Sequence, residues 1–142
     1  MKRLILIGRS ECGKSTLISA LRRESLAYHK TQSVDYSEDI IDTPGEYAEN
    51  ASLGGALALY SCEADVVGLT VSAAEEYTLF PPNIAPMATR PVIGIVTKSD
   101  SEYANIPRAV SWLELCGCER IFVTSSRTGE GLEKVTEYLE NM

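Results

Sequence analysis

Eight consecutive residues, Gly8-Arg9-Ser10-Glu11-Cys12-Gly13-Lys14-Ser15, place two glycines, a lysine and a hydroxyl in the spacing G-x-x-x-x-G-K-S. Such a run can cradle phosphates, provided that a strand leads in and a helix leads out. Leu4–Ile7 before it is a short apolar run, and the segment from Lys14 onward has helical character. A strand, a glycine-rich turn and a helix in succession aim several backbone N–H groups, and the positive end of the helix dipole, at one spot. The expected ligand is a polyphosphate held by Gly8, Arg9, Ser10, Glu11, Cys12, Gly13, Lys14, Ser15 and Thr16. Lys14 would reach the terminal phosphates, and the Ser15 hydroxyl would hold Mg²⁺.

Two further segments could serve the same ligand. Asp42-Thr43-Pro44-Gly45 follows the apolar pair Ile40-Ile41. An Asp at the end of a strand beside the phosphate loop can bind Mg²⁺ through a water. Gly45, having no side chain, can bring its backbone N–H to a terminal phosphate. The alternative is an ordinary strand-to-turn junction, for which these residue types are common. Thr31, in the polar stretch before that strand, is the candidate to complete the metal shell, with Ser33 as its competitor. A loop held only by phosphate and metal is released when the phosphate leaves.

Thr97-Lys98-Ser99-Asp100 closes the apolar run Val92–Val96. The carboxyl edge of a parallel sheet is where ligands sit. A carboxylate at Asp100 can accept both the ring N1–H and the exocyclic amine of guanine, whereas adenine would face it with a lone pair. Charged hydrogen bonds contribute about 1.5–3 kcal/mol, enough to choose a base. The Lys98 stem can lie along the base plane. Ser125-Ser126, after a fifth apolar run, can offer a backbone N–H to the guanine oxygen. The competing reading makes Ser99 or Asp100 a helix N-cap at a strand exit.

The elements that must position these groups alternate strand and helix. Strands are expected at residues 2–7, 39–42, 66–72, 92–97 and 121–124, mostly as continuous apolar runs, the mark of strands buried on both faces. Helices are expected at 14–23, about 48–63, about 104–116 and 130–140. Leu132, Val135 and Leu139 define one buried face, and Ile106, Ala109, Val110 and Leu113 another. Residues 28–38 read as a loop with an edge strand near Val34 and Tyr36. Residues 74–91 carry Pro81, Pro82, Pro86 and Pro91, so the helix that a doubly wound sheet normally has there must be short or missing.

The 142 residues suit one nucleotide-binding domain spanning 1–142. No apolar run nears the ~20 residues of a membrane span, and the N-terminus has no signal peptide, which points to the cytoplasm. A net charge of −7 argues against nucleic acid and membrane surfaces as partners. Cys12, Cys62, Cys116 and Cys118 read as free thiols, and Cys116-Gly117-Cys118 lacks a second ligand pair for zinc.

Together the phosphate loop, Asp42-Thr43-Pro44-Gly45, Thr97-Lys98-Ser99-Asp100 and Ser125-Ser126 before Thr128-Gly129-Glu130-Gly131 resemble the small Ras-like P-loop GTPases. The resemblance implies a mostly parallel sheet of five or six strands, helices on both faces and a shortened third helix. More narrowly, the chain resembles the EutP/PduV family of bacterial ethanolamine and propanediol utilisation. The residues carrying this are Met1-Lys2-Arg3-Leu4, Lys30 to Tyr36, Asp42 to Tyr47, and Arg90 to Lys98. The motifs and the Ras-like resemblance imply a guanine-nucleotide switch using GTP or GDP and Mg²⁺, with an activating or exchange protein, and the narrower resemblance implies microcompartment shell or lumen proteins as partners. An ATP-dependent, acetate kinase-like phosphotransferase is the alternative it also implies, and a nucleotide-stabilised targeting module is a third. Lys14, Thr31, Gly45 and Glu46 would carry any chemistry. Glu46, where efficient GTPases often have Gln, and Glu11 inside the loop both add negative charge near the γ-phosphate and imply slow hydrolysis. Thr97 stands where Asn is commoner, so one side-chain amide bridge to the phosphate loop is expected to be lost. No residue is an obvious arginine finger in cis, although Arg9 is close enough in sequence to be considered.

Overall fold

A computed structural model describes residues 3–9, 12–28, 40–42, 57–58, 61–78 and 80–141. Leu4–Ile7 forms β1, Lys14–Tyr28 forms α1, Ile40–Asp42 forms β2, and Val66–Ser72 forms β3. Val92–Thr97 then forms β4, Ile106–Cys116 α2, Arg120–Val123 β5 and Leu132–Glu140 α3. The five strands make one all-parallel sheet in the order β2-β1-β3-β4-β5. The chain leaves β1 for β2 on one side and returns to β3 on the other. The end of β1 therefore lies at the point where the winding reverses, which is where α/β sheets open a ligand crevice.

Both faces of the sheet are covered, and alternation along the strands decides which side chain goes where. Ile5, Ile7, Val67, Leu69, Val71, Val92 and Val96 pack with Ala109, Leu113 and Cys116 of α2. Leu4, Leu6, Ile93, Ile95 and Phe122 pack with Leu17, Ile18 and Leu21 of α1 and with Leu132, Val135 and Leu139 of α3. Gly94 faces α2, and a Cβ there would stand 2.8 Å from Leu113 Cδ1, so the glycine sets how closely that helix approaches. The fold is thus the α/β, P-loop type expected from the alternating pattern.

Differences from the expected elements have local causes. Helix α1 continues past residue 23 to Tyr28 because Glu24, Leu26 and Ala27 favour helix and no Gly or Pro stops it. Helix α2 starts at Ile106 because Asn105 caps it, accepting the Arg108 backbone N–H at 3.2 Å, with Pro107 in the first turn. It ends at Gly117, whose φ of 90° is the left-handed closure that glycine tolerates. Among the described residues of 74–91 the only helical element is one 3₁₀ turn, Ala85–Met87, as the prolines require. Of the helix expected at 48–63, residues 57–58 are helical and Ser61–Glu63 form a 3₁₀ turn. The rest of it, and the edge strand near Val34 and Tyr36, lie outside the described residues. No helix among the described residues is long and apolar enough to cross a membrane.

Candidate functional site

Because every strand runs the same way, Gly8, Ser72, Thr97 and Thr124 leave the sheet along one edge. Gly8 must be small: a Cβ would stand 2.7 Å from the Thr70 carbonyl oxygen and 2.8 Å from Cys12 Sγ. Gly13 has φ +95°, a conformation strained for any side chain, and it launches α1 directly. The Leu17 N–H returns to the Gly13 carbonyl at 2.9 Å, closing the first helical turn. Both required glycines therefore have a geometric reason.

Lys14 is buried, and its Nζ donates to the carbonyls of Gly8 at 2.7 Å and Arg9 at 3.2 Å. The ammonium is thus folded onto the loop that it would serve. Ser15 and Thr16 are exposed on the first turn of α1. Cys12 is buried, and burial raises its thiol although Lys14 pulls it down. It acts as packing rather than as a nucleophile. The backbone of Asp42 ends β2 beside Leu6 of β1, two residues before Gly8. The Asp42 side chain, together with Ser10, Glu11, Thr31, Gly45 and Glu46, lies outside the described residues.

The second half of the site is built around Thr97–Asp100. Ser125, fully buried, donates its hydroxyl to Asp100 Oδ1 at 2.7 Å and accepts the Thr128 N–H at 3.2 Å. Asp100 is exposed, so one oxygen is anchored while the carboxylate faces outward. Ser99 is held twice, its N–H by the Thr124 carbonyl at 3.2 Å and its hydroxyl by Glu130 Oε1 at 2.5 Å. Lys98 has φ 58°, unusual for a residue with a Cβ, and its Cε lies 3.5 Å from where a Gly13 Cβ would be. A strained backbone held by its surroundings is common where a side chain must be aimed. The cap alternative fails, because Asn105 rather than Ser99 or Asp100 caps α2.

Two expectations are sharpened. In place of the absent amide bridge, a hydroxyl ties residue 97 to the phosphate loop: Thr97 Oγ1 donates to the Cys12 carbonyl at 2.5 Å. A hydroxyl suffices because β4 brings residue 97 directly against the loop. The Ser125 N–H is not available to a ligand, since it bonds the Glu130 carbonyl at 3.0 Å. Ser125 directs its hydroxyl at Asp100 instead, which leaves Ser126 as the other residue of the expected pair.

Sequence reasoning missed Glu75. It follows β3 in a tight turn, in which Glu75 N–H bonds the Ser72 carbonyl at 3.1 Å and Glu75 Oε2 accepts the Ser72 N–H at 3.0 Å. Its other oxygen lies 3.4 Å from Arg9 Nε. Arg9 also donates to Tyr77 Oη at 3.3 Å and lies over that ring at 4.8 Å. Burial raises the Glu75 carboxyl above its ordinary range, against the pull of Ser72, Arg9, Lys98 and Lys14. No motif marks Glu75; only its position just past a strand on the ligand edge could have pointed to it. A groove of about 540 Å³ lies elsewhere, beside Arg120, Lys134 and Tyr138.

A family model described as "Ethanolamine utilisation - propanediol utilisation", PduV-EutP, matches residues 1–141. The chain is 41% identical over 140 residues to "Propanediol utilization protein PduV" of Citrobacter freundii, covering 98% of this chain and 93% of that one. It is 28% identical over 142 residues to "Probable acetate kinase EutP" of Salmonella typhimurium, covering 98% and 89%. It is 26% identical over 145 residues to the protein of that same name in Escherichia coli K12, covering 100% and 91%.

Proposed function

The chain belongs to the PduV-EutP family, and from that premise we propose that it is a guanine-nucleotide switch of Ras-like layout with slow GTP hydrolysis. It serves propanediol or ethanolamine utilisation, docking on microcompartment shell or lumen proteins and answering to an activating or exchange protein. The observation that carries the guanine reading is the Ser125–Asp100 hydrogen bond of 2.7 Å. That bond orients an exposed carboxylate on the same sheet edge as the phosphate loop, where guanine offers two N–H donors.

The remaining roles follow from position. Gly8, Gly13 and Lys14 hold the phosphates, with Lys14 exchanging its two carbonyl partners for phosphate oxygens. Ser15 and Asp42 would hold Mg²⁺, which would supply neutralisation of phosphate charge. Lys98 flanks the base, and Thr97 ties the base motif to the loop through Cys12. Arg9 rests against Glu75 and Tyr77, so a finger role in cis requires it to leave both.

A second reading is favoured by the relatives named as probable acetate kinases. There the chain would transfer phosphate from ATP to a small carboxylate. Calorimetric titration with GTP, GDP and ATP in Mg²⁺ separates the two. The switch reading expects GDP and GTP to bind with ATP far weaker. Binding of ATP alone, or phosphate turnover that rises steeply with acetate, would establish the kinase instead.

A further inference from the structure

Glu75 is a carboxylate that the proposed chemistry does not use, yet it is placed against the phosphate loop. Its side chain is 12% exposed. One oxygen is committed to the Ser72 N–H, while Oε1 is buried without a hydrogen-bond partner, facing Arg9 Nε at 3.4 Å. The turn that carries it is braced from behind. Ala74 N–H bonds Ser72 Oγ at 3.2 Å, and the Arg108 guanidinium of α2 donates to the Glu75 carbonyl while lying 5.3 Å from the Trp112 ring. Glu75 is therefore held by the turn after β3, and Arg9 reaches it from the phosphate loop.

A guanidinium prefers two parallel, charge-assisted hydrogen bonds to one anion. Toward Glu75, Arg9 presents its Nε at 3.4 Å, and it also donates to the Tyr77 hydroxyl. A phosphate arriving at the loop offers more charge and more acceptors within reach of the same side chain. Lys14 and Lys98 also face Glu75 electrostatically, from α1 and from the turn after β4, and both belong to the proposed ligand site.

Building on the nucleotide-binding reading, we propose that Glu75 is an internal counter-ion that competes with the nucleotide's phosphates for Arg9, a positioning residue that tunes affinity. When phosphates draw Arg9 away, Glu75 keeps a buried charge with less compensation, which opposes binding. The added negative charge also favours protonation of a carboxyl that burial already holds high, so binding takes up a proton. Affinity then tightens as pH falls.

The test is a double-mutant cycle on affinity for Mg²⁺-GDP by calorimetry, with the full chain, Glu75→Gln, Arg9→Ala and the double variant. Glu75→Gln should tighten binding by about fivefold or more, the usual scale of coupling between sites. Most of that gain should vanish in the Arg9→Ala background. Between about pH 8 and about pH 6 the parent should gain more affinity than Glu75→Gln. Equal or weaker binding by Glu75→Gln overturns the proposal, as does an undiminished gain in the Arg9→Ala background. Should Glu75→Gln fail to fold, Tyr77→Ala decides. Tyr77 is exposed, so its removal should spare the fold and give a smaller tightening, and no tightening counts against the proposal. Absence of GDP binding by the parent would overturn the guanine-nucleotide reading together with this one, whereas parent binding with an unchanged Glu75→Gln overturns this one alone.

Discussion

The two halves of the candidate site are finished to different degrees. On the base side, Asp100, Ser99 and Ser125 are fixed by bonds within the protein, from 2.5 Å at Ser99–Glu130 to 2.7 Å at Ser125–Asp100. On the phosphate side, Lys14 is turned onto the carbonyls of its own loop and Arg9 onto Glu75. Selecting a base needs a carboxylate aimed in advance, because a mobile one loses its advantage in ordering cost. Holding phosphates needs cations that can exchange partners, because an ammonium must be satisfied both with and without ligand. On the proposed reading, one half is set for recognition and the other for exchange.

Lys14→Ala should break the phosphate half most severely. It removes at least two charged hydrogen bonds worth about 1.5–3 kcal/mol each, so nucleotide affinity should fall by about a hundredfold or more. The loss should be similar for GDP and ADP, since neither base touches Lys14. Unequal losses would mean that the two halves do not divide the labour as proposed.

Asp100→Asn attacks the other half and should act on preference rather than on phosphate binding. An amide presents a donor where guanine presents one, so the ratio of GDP to ADP affinity should drop by about 10- to 100-fold. Competition between the two nucleotides reads this directly. An unchanged ratio would reduce Asp100 to a surface carboxylate.

Thr97 joins the halves, and its removal should be felt in folding. Thr97→Val keeps the shape but leaves the buried Cys12 carbonyl without its donor, at a cost of about 1–3 kcal/mol by denaturant titration. The phosphate loop should loosen with it, weakening GDP and ADP alike.

The parts of this arrangement that were legible in the sequence are those fixed by local rules. Gly8, Gly13 and Lys14 stand in a spacing that only a tight turn into a helix explains. β3 at 66–72 and β4 at 92–97 were readable as continuous apolar runs between turn residues, and the prolines ruled out a regular helix through 74–91. What was not legible depends on approach between distant segments. Thr97 looked like a lost bridge because residue type suggests a bond, whereas the distance of β4 from the loop decides which side chain can reach. Ser125 looked like a backbone donor because nothing local shows that Glu130 takes its N–H. Glu75 carries no motif, and its contact with Arg9 spans residues that only the β1–β3 pairing brings together.

Ser125→Ala has the smallest expected effect and separates the halves most cleanly. The hydroxyl both donates to Asp100 and accepts from Thr128, and a neutral-to-charged bond of this kind contributes about 0.5–3 kcal/mol. Asp100 stays charged and present, so guanine preference should fall only severalfold, well short of the Asp100→Asn loss. The affinity for pyrophosphate, which has no base to read, should be unchanged. A fall in pyrophosphate affinity would mean that the base side reaches the phosphate loop through Thr97 and Cys12, making recognition and exchange one connected network rather than two neighbouring ones.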